Sequence, residues 1–91
     1  MRSQAREITF DGREGPRLSC PLINIWRDYD YRGKGGAVAT VEHGSRGLLL
    51  ERKGARCKVQ VGDAVGYVTF YFILEEKGAW LATQLGYEGA K

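Results

Sequence analysis

The amino-acid sequence predicts an all-β fold, a small barrel of five to seven short antiparallel strands with a short C-terminal helix. Thirteen glycines against two prolines in 91 residues indicate many turns and short strands rather than long helices. Several short runs alternate apolar and polar residues, which is the pattern of a strand with one buried face. We expect one domain, with the barrel in residues 22–73, a β extension in residues 7–19 and a C-terminal extension in residues 74–91.

The predicted strands follow one another at short intervals. In chain order they are Glu7–Phe10, Leu22–Trp26, Ala37–Val41, Gly47–Arg52, Cys57–Val61 and Ala64–Thr69. Pro21 cannot donate a hydrogen bond to a sheet, so we expect an edge segment before it and a buried strand after it. Gly44 lies in a predicted turn and is expected to have a positive φ. Gly66 lies within the last strand, where glycine indicates a bulge or the close approach of another group.

Two segments outside these strands are rich in aromatic residues. Arg27–Gly36 has no apolar periodicity and predicts a long exposed loop that displays Tyr29 and Tyr31. These two tyrosines are either ligand contacts or side chains packed over the side of the barrel. Phe70–Ile73 is too aromatic for a solvated loop, so we expect it to fold over one end of the barrel.

The C-terminal extension predicts one or two helical turns over Ala79–Leu85. Leu81 and Leu85 are four residues apart, and Gly86 is placed as a C-cap. The alternative is a further strand in which Trp80 is buried.

The sequence favours neither a catalytic site nor a metal site. Cys20 and Cys57 each lie in an apolar strand pattern and are predicted to be buried free thiols, with a disulfide as the alternative. A single histidine, His43, and the lack of a Cys-x-x-Cys pair argue against a zinc site. The pattern also lacks a nucleophile with its base and a Walker-type phosphate loop. We therefore expect a protein that is not an enzyme and that needs no cofactor.

The N-terminal residues and the hydropathy of the chain bear on its location. Residues 1–10 lack the apolar core of a signal peptide, and no stretch reaches transmembrane length. The sequence therefore predicts a cytoplasmic protein with no membrane partner. Its formal net charge of +3 is mild, so charge alone gives weak support to an anionic partner.

Five short motifs occur in a fixed order between Leu22 and Ile73. They are Ile23-Asn24-Ile25-Trp26-Arg27, the AVATVEHG segment Ala37–Gly44, the two strands within Leu48–Val61, Gly66-Tyr67-Val68, and Phe72-Ile73. In this order they resemble bacterial SH3 domains of the SH3b, or type-3, kind. The resemblance covers a little over half of the chain and implies an SH3-like barrel. The tryptophan often found before the lysine-valine strand of that family is replaced here by Arg56 and Cys57.

The resemblance implies a non-catalytic binding module that recognises a protein or peptide partner through a shallow aromatic surface. Aromatic side chains dominate the binding energy of such surfaces. The candidate contacts are Trp26, Tyr29, Tyr31, Tyr67 and Tyr71. The competing interpretation is that Trp26 and at least one of the tyrosines belong to the core.

Two other functions are compatible with the sequence. The first is nucleic-acid binding on a basic face, since phosphates need positive charge and bases stack on exposed rings. Its candidate residues lie within thirteen positions and are Arg46, Arg52, Lys53, Arg56 and Lys58. A solvated strand face is the competing interpretation of this cluster. The second function is self-association through an exposed strand edge or the Trp80–Leu85 tail.

Overall fold

The computed structural model of the chain describes residues 5–28 and 36–89, with side chains as far as residue 84. The described residues form eight strands, a short 3-10 helix and one α-helix. They are β1 (Arg6–Thr9), β2 (Arg13–Glu14), β3 (Arg17–Leu18), β4 (Leu22–Trp26), β5 (Ala37–Glu42), β6 (Arg46–Lys53), β7 (Arg56–Val61), β8 (Ala64–Thr69), the 3-10 helix Phe70–Phe72 and α1 (Leu74–Gly89). The predicted all-β class with a C-terminal helix is therefore confirmed.

The main sheet has six antiparallel strands in the order β1-β6-β7-β8-β4-β5, and β2 and β3 form a separate hairpin. This sheet is not closed into the predicted barrel, because no pairing among the described residues joins β1 to β5. The free side of β1 faces helix α1 instead. The Thr9 N–H, which a closing strand would have used, donates to Glu75 Oε1 at 2.8 Å.

The hydrophobic core lies on one side of the sheet. It is formed by Ile8, Phe10, Ile23, Ile25, Val41, Leu49, Cys57, Val59, Val68 and Ile73. The alternation of buried and exposed residues in β4 and β7 explains this arrangement, since every second side chain of a strand points to the same face. Cys57 is fully buried at the centre, whereas Cys20 is half-buried, and both are free thiols.

Gly66 confirms the predicted close approach within a strand. A Cβ at this position would lie 2.5 Å from the carbonyl oxygen of Trp26 and 2.9 Å from Ile25 Cγ2. Strands β8 and β4 can therefore approach each other this closely only because residue 66 has no side chain. Gly44 has a φ of 92°, as its turn position predicts.

Helix α1 differs from the prediction at both ends. It begins at Leu74 rather than at Ala79, and it continues past Gly86, so the predicted C-cap at Gly86 is wrong. The early start has an electrostatic reason, because Glu75 lies in the first turn, where the helix dipole favours negative charge. Trp80 is 39% exposed on this helix and does not belong to a strand. In the described part of the chain, no helix has the length and apolar character needed to span a membrane.

Candidate binding face on the outer side of the sheet

The side of the sheet opposite the core carries a row of side chains from three neighbouring strands. Lys58 of β7 is paired with Tyr67 of β8, and Tyr67 is paired with Trp26 of β4. Arg56 and Thr69 form the next pair of β7 and β8 on the same face, two positions along. We call this surface the outer face and define it by Leu22, Asn24, Trp26, Glu51, Lys53, Arg56, Lys58, Tyr67 and Thr69.

A bulge in β6 completes the outer face. Leu49 is paired with Val59, but Glu51 is paired with Lys58, so Leu50 is an extra residue in β6. Strict alternation from the buried Leu49 would have turned Lys53 toward the core side. The extra residue reverses this, since a bulge sets two residues of one strand against one of its partner. Lys53 therefore joins Arg56 on the outer face.

One part of the outer face is a basic depression of about 150 Å³, lined by Glu51, Lys53, Arg56, Lys58 and Tyr67. No salt bridge within residues 5–28 and 36–89 involves Lys53 or Lys58. Both ammonium groups can therefore pair with an incoming anion. Glu51 is the acid that lines the depression, and it limits the local excess of positive charge.

Beside the basic depression, an apolar groove of about 250 Å³ reaches from the outer face to the core residues Ile23 and Val68. Its lining residues are Leu22, Ile23, Asn24, Trp26, Val68, Thr69 and Phe72. Leu22 is 61% exposed, whereas Trp26 and Phe72 are half-buried. The groove adjoins the basic depression, because Tyr67 of the depression is the pairing partner of Trp26 of the groove.

The structure divides the predicted basic cluster. Lys53, Arg56 and Lys58 lie together on the outer face, but Arg46 and Arg52 do not belong to this group. Arg52 is paired with the buried Cys57, and its Nη1 donates to Glu76 Oε1 at 2.8 Å on the core side. Its guanidinium also lies 4.7 Å from the centre of the Phe70 ring.

Arg46 lies near the opposite end of β6. Its Nη2 donates to Glu7 Oε1 at 3.0 Å across the pairing of β1 with β6. The predicted nucleic-acid face of five residues is therefore reduced to three.

The structure also divides the predicted aromatic set. Trp26 and Tyr67 lie side by side on the outer face, whereas Tyr71 lies beside helix α1. The Tyr71 ring is 4.6 Å from Lys77 Nζ, and its centre is 6.4 Å from that of Trp80. Tyr29 and Tyr31 lie outside the described residues.

A cluster of buried charges, which the sequence analysis missed, lies at the start of helix α1. Lys77 Nζ is 3.0 Å from Asp11 Oδ2, and Arg13 Nε donates to Asp11 Oδ1 at 3.1 Å. Burial alone would raise the pKa of Asp11. The Arg13 backbone N–H and the Lys77 ammonium outweigh burial and lower the pKa to about 2. The cluster holds an ionised carboxylate in place.

His43 belongs to the same cluster. Its Nδ1 accepts a hydrogen bond from the Gly12 N–H at 3.1 Å. The same nitrogen lies 3.5 Å from Asp11 Oδ1.

Glu76 forms a second buried cluster with two arginines. Its Oε2 accepts from Arg6 at 2.6 Å, and its Oε1 accepts from Arg52. Burial raises the pKa of Glu76, but the hydrogen bonds from Arg52 and Arg6 outweigh this and lower it. The first cluster joins helix α1 to the segment that follows β1, and the second joins it to β1 and β6. No local sequence pattern indicates them, since their members are up to 70 positions apart.

Among the described residues, no group of three or more His, Cys, Asp and Glu side chains is placed to hold a metal ion. The outer face offers cations and aromatic rings to a ligand. No protein-family model matches the chain, and neither does any curated protein or solved structure.

Proposed function

We propose that the chain is a non-catalytic binding module that takes a protein or peptide partner on its outer face. The observation that carries the proposal is the row Lys58–Tyr67–Trp26, in which a cation and two aromatic rings are neighbours on three paired strands. Tyrosine and tryptophan are the residue types that most often dominate the energy of a protein interface.

The resemblance of residues 22–73 to bacterial SH3 domains supports the same proposal, because the usual partners of that family are proteins or peptides. The shape of the face supports it as well. One shallow depression is lined by Tyr67 and the other by its pairing partner Trp26, so the two suit two side chains of one extended partner.

Nucleic-acid binding is the second candidate, and it rests on Lys53, Arg56 and Lys58 around the Tyr67 ring. The engagement of Arg46 and Arg52 with acidic residues weakens this candidate. Contacts to about three phosphates would give a logarithmic salt slope of roughly −2 to −3. A steeper slope would require cations beyond the outer face.

The test compares two tyrosines on different surfaces. Peptides are selected from a random library on the full chain, and their binding is mapped by amide chemical shifts. We expect the shifts to lie on β7, β8 and β4. Tyr67→Ala should weaken the selected peptides at least about 10-fold, as expected for an interface hot spot. Tyr71→Ala is the matched control and should leave their affinity within about twofold.

Two outcomes would contradict the proposal. In one, no library peptide shifts the outer-face amides. In the other, Tyr67→Ala and Tyr71→Ala change binding equally. Far-UV circular dichroism of each variant shows whether it is folded.

A further inference from the structure

We infer that the partner is an extended peptide with an acidic side chain three or four residues from an apolar one, and that it crosses the strands of the outer face. This inference rests on the proposed function, because it names the class of peptide that the same face takes. It follows from the chemistry of the two depressions and from the distance between them.

The basic depression selects an acidic side chain. Lys53 and Lys58 line it, and neither takes part in a salt bridge among the described residues. A carboxylate that binds there gains charge-assisted hydrogen bonds, which are about twice as strong as neutral ones. Its volume of about 150 Å³ suits one side chain, since an apolar cavity of roughly that volume holds benzene.

The same depression disfavours a polyanion. Glu51 lines it beside the lysines, so a second phosphate would meet a like charge. The basic surface also does not continue along β6, because Arg52 turns to Glu76 and Arg46 pairs with Glu7. A single carboxylate therefore fits better than a nucleic-acid backbone.

The apolar groove selects a side chain such as leucine or phenylalanine. Its walls include Leu22, Trp26 and Phe72, and its volume is about 250 Å³. The exposed Leu22 side chain would lose contact with water when such a side chain binds. Burial of apolar surface is favourable, so the groove contributes affinity where the basic depression contributes selectivity.

The order of the strands sets the spacing between the two side chains. Apart from Tyr67, the residues that line the depression lie on β6 and β7, and apart from Phe72, those that line the groove lie on β8 and β4. Neighbouring strands are about 4.8 Å apart, so the centres of the two sites, which lie two strand spacings apart, are separated by about 10 Å. An extended peptide advances about 3.1–3.3 Å per residue. Three residues of a polyproline II segment, or four of a β-strand, therefore place two side chains on one face at about this separation.

The experiment uses a series of defined peptides and the full chain. Each peptide has a serine-glycine background with one glutamate and one leucine, in both orders, separated by one to six positions. Binding to the isotope-labelled protein is followed by amide chemical shifts, which report weak affinities. Matched peptides carry lysine in place of glutamate or serine in place of leucine. An oligothymidylate is titrated in parallel.

We expect the peptides with separations of three and four to bind at least about fivefold more tightly than those with a separation of one. Replacing glutamate by lysine should weaken binding at least about 10-fold. Lys53→Gln should weaken the best peptide several-fold. Arg46→Gln, on the same strand but paired with Glu7, should leave the affinity unchanged.

Three outcomes would overturn the inference. Peptides that shift the outer face without regard to charge or separation would refute this peptide class while the proposed function stands. If no peptide of this series or of the random library shifts the outer face, the proposed function itself fails. An oligothymidylate that binds the outer face more tightly than every peptide would favour the nucleic-acid alternative.

Discussion

Lys77 Nζ lies 3.0 Å from Asp11 Oδ2, and this ion pair joins the first turn of helix α1 to the segment that follows β1. Both residues are buried, with relative exposures of 6% and 2%. The Lys77 ammonium also donates to the Arg13 carbonyl oxygen at 2.7 Å. Removal of one charge would leave the other one buried, without an ion-pair partner and with little access to water.

Asp11→Asn should therefore destabilise the protein. Loss of one partner of a buried ion pair costs about 3–5 kcal/mol, and we expect a decrease of that size in the free energy of unfolding. Adding Lys77→Met should recover part of the loss, because it removes the unpaired charge. Urea unfolding of the two single variants and the double variant measures the coupling. A double variant whose loss equals the sum of both single losses would contradict this account.

The same carboxylate predicts a dependence of stability on pH. The pKa of Asp11 is about 2 in the folded protein, below its ordinary value of 3.8. A lowered folded-state pKa contributes stability above pH 4 and loses it as the pH falls from about 4 to about 2. The contribution is on the order of 2 kcal/mol. Glu76, whose pKa is also lowered, acts in the same direction.

Urea unfolding at several pH values checks this. The stability difference between the natural chain and Asp11→Asn should shrink as the pH falls from 5 toward 2. A difference that stays constant over this range would show that Asp11 has an ordinary pKa.

Because of the bulge at Leu50, the neighbouring cations Arg52 and Lys53 point to opposite sides of β6 and should contribute differently to stability. Arg52→Gln removes a charge-assisted hydrogen bond to the buried Glu76 carboxylate and should cost about 1.5–3 kcal/mol of stability. Lys53→Gln, one position on, should change stability by less than about 0.5 kcal/mol. Thermal unfolding compares the two. Equal losses would place both side chains in equivalent environments and would contradict the bulge.

Gly66 and Gly78 should respond oppositely to the same substitution. Gly66→Ala brings a methyl group within 2.5 Å of the Trp26 carbonyl oxygen, and overpacking of this kind costs about 1–3 kcal/mol. Gly78 lies within helix α1, and an added Cβ would contact nothing within 4 Å. Gly78→Ala should therefore stabilise the protein by up to about 1 kcal/mol. A stable Gly66→Ala variant would mean that β8 and β4 are not in close contact.

The two cysteines should differ in reactivity. Cys57 is fully buried, and burial raises the pKa of its thiol to about 11. The thiolate is the reactive form, so Cys57 should resist iodoacetamide in the native protein. The half-buried Cys20 should react first. Mass spectrometry should show one adduct in buffer and two in urea, and rapid double labelling in buffer would contradict the buried position.

The strands could be predicted because their signals are local. Cys57–Val61 alternates apolar and polar residues, and glycine turns separate it from its neighbours, so the predicted strand agrees with β7 to within one residue. The start of helix α1 could not be predicted in this way. Glu76 and Lys77 are charged residues that a local pattern assigns to the surface, whereas Arg6 and Asp11 make their burial favourable.

The individual residues of the candidate site could be predicted from the sequence, but their arrangement could not, because it depends on strand pairing. Trp26, Tyr67 and Lys58 were recognised as separate candidates, but only the pairing of β7, β8 and β4 shows that they are neighbours. The different directions of Arg52 and Lys53 depend on one extra residue in β6. Nothing in the LLL run at 48–50 indicates which leucine is the extra one.

The fastening of helix α1 to the segment around β1 has a consequence for the order of folding. Arg6 reaches Glu76 over 70 positions, Thr9 reaches Glu75 over 66, and Phe10 bridges to Ile73. Such distant contacts form late, since the entropy of closing a long loop is lost before the contact is gained. During synthesis, β1 leaves the ribosome before helix α1 and lacks these partners until residue 76 has also emerged. The segment around β1 can therefore complete its contacts only after helix α1 has been synthesised.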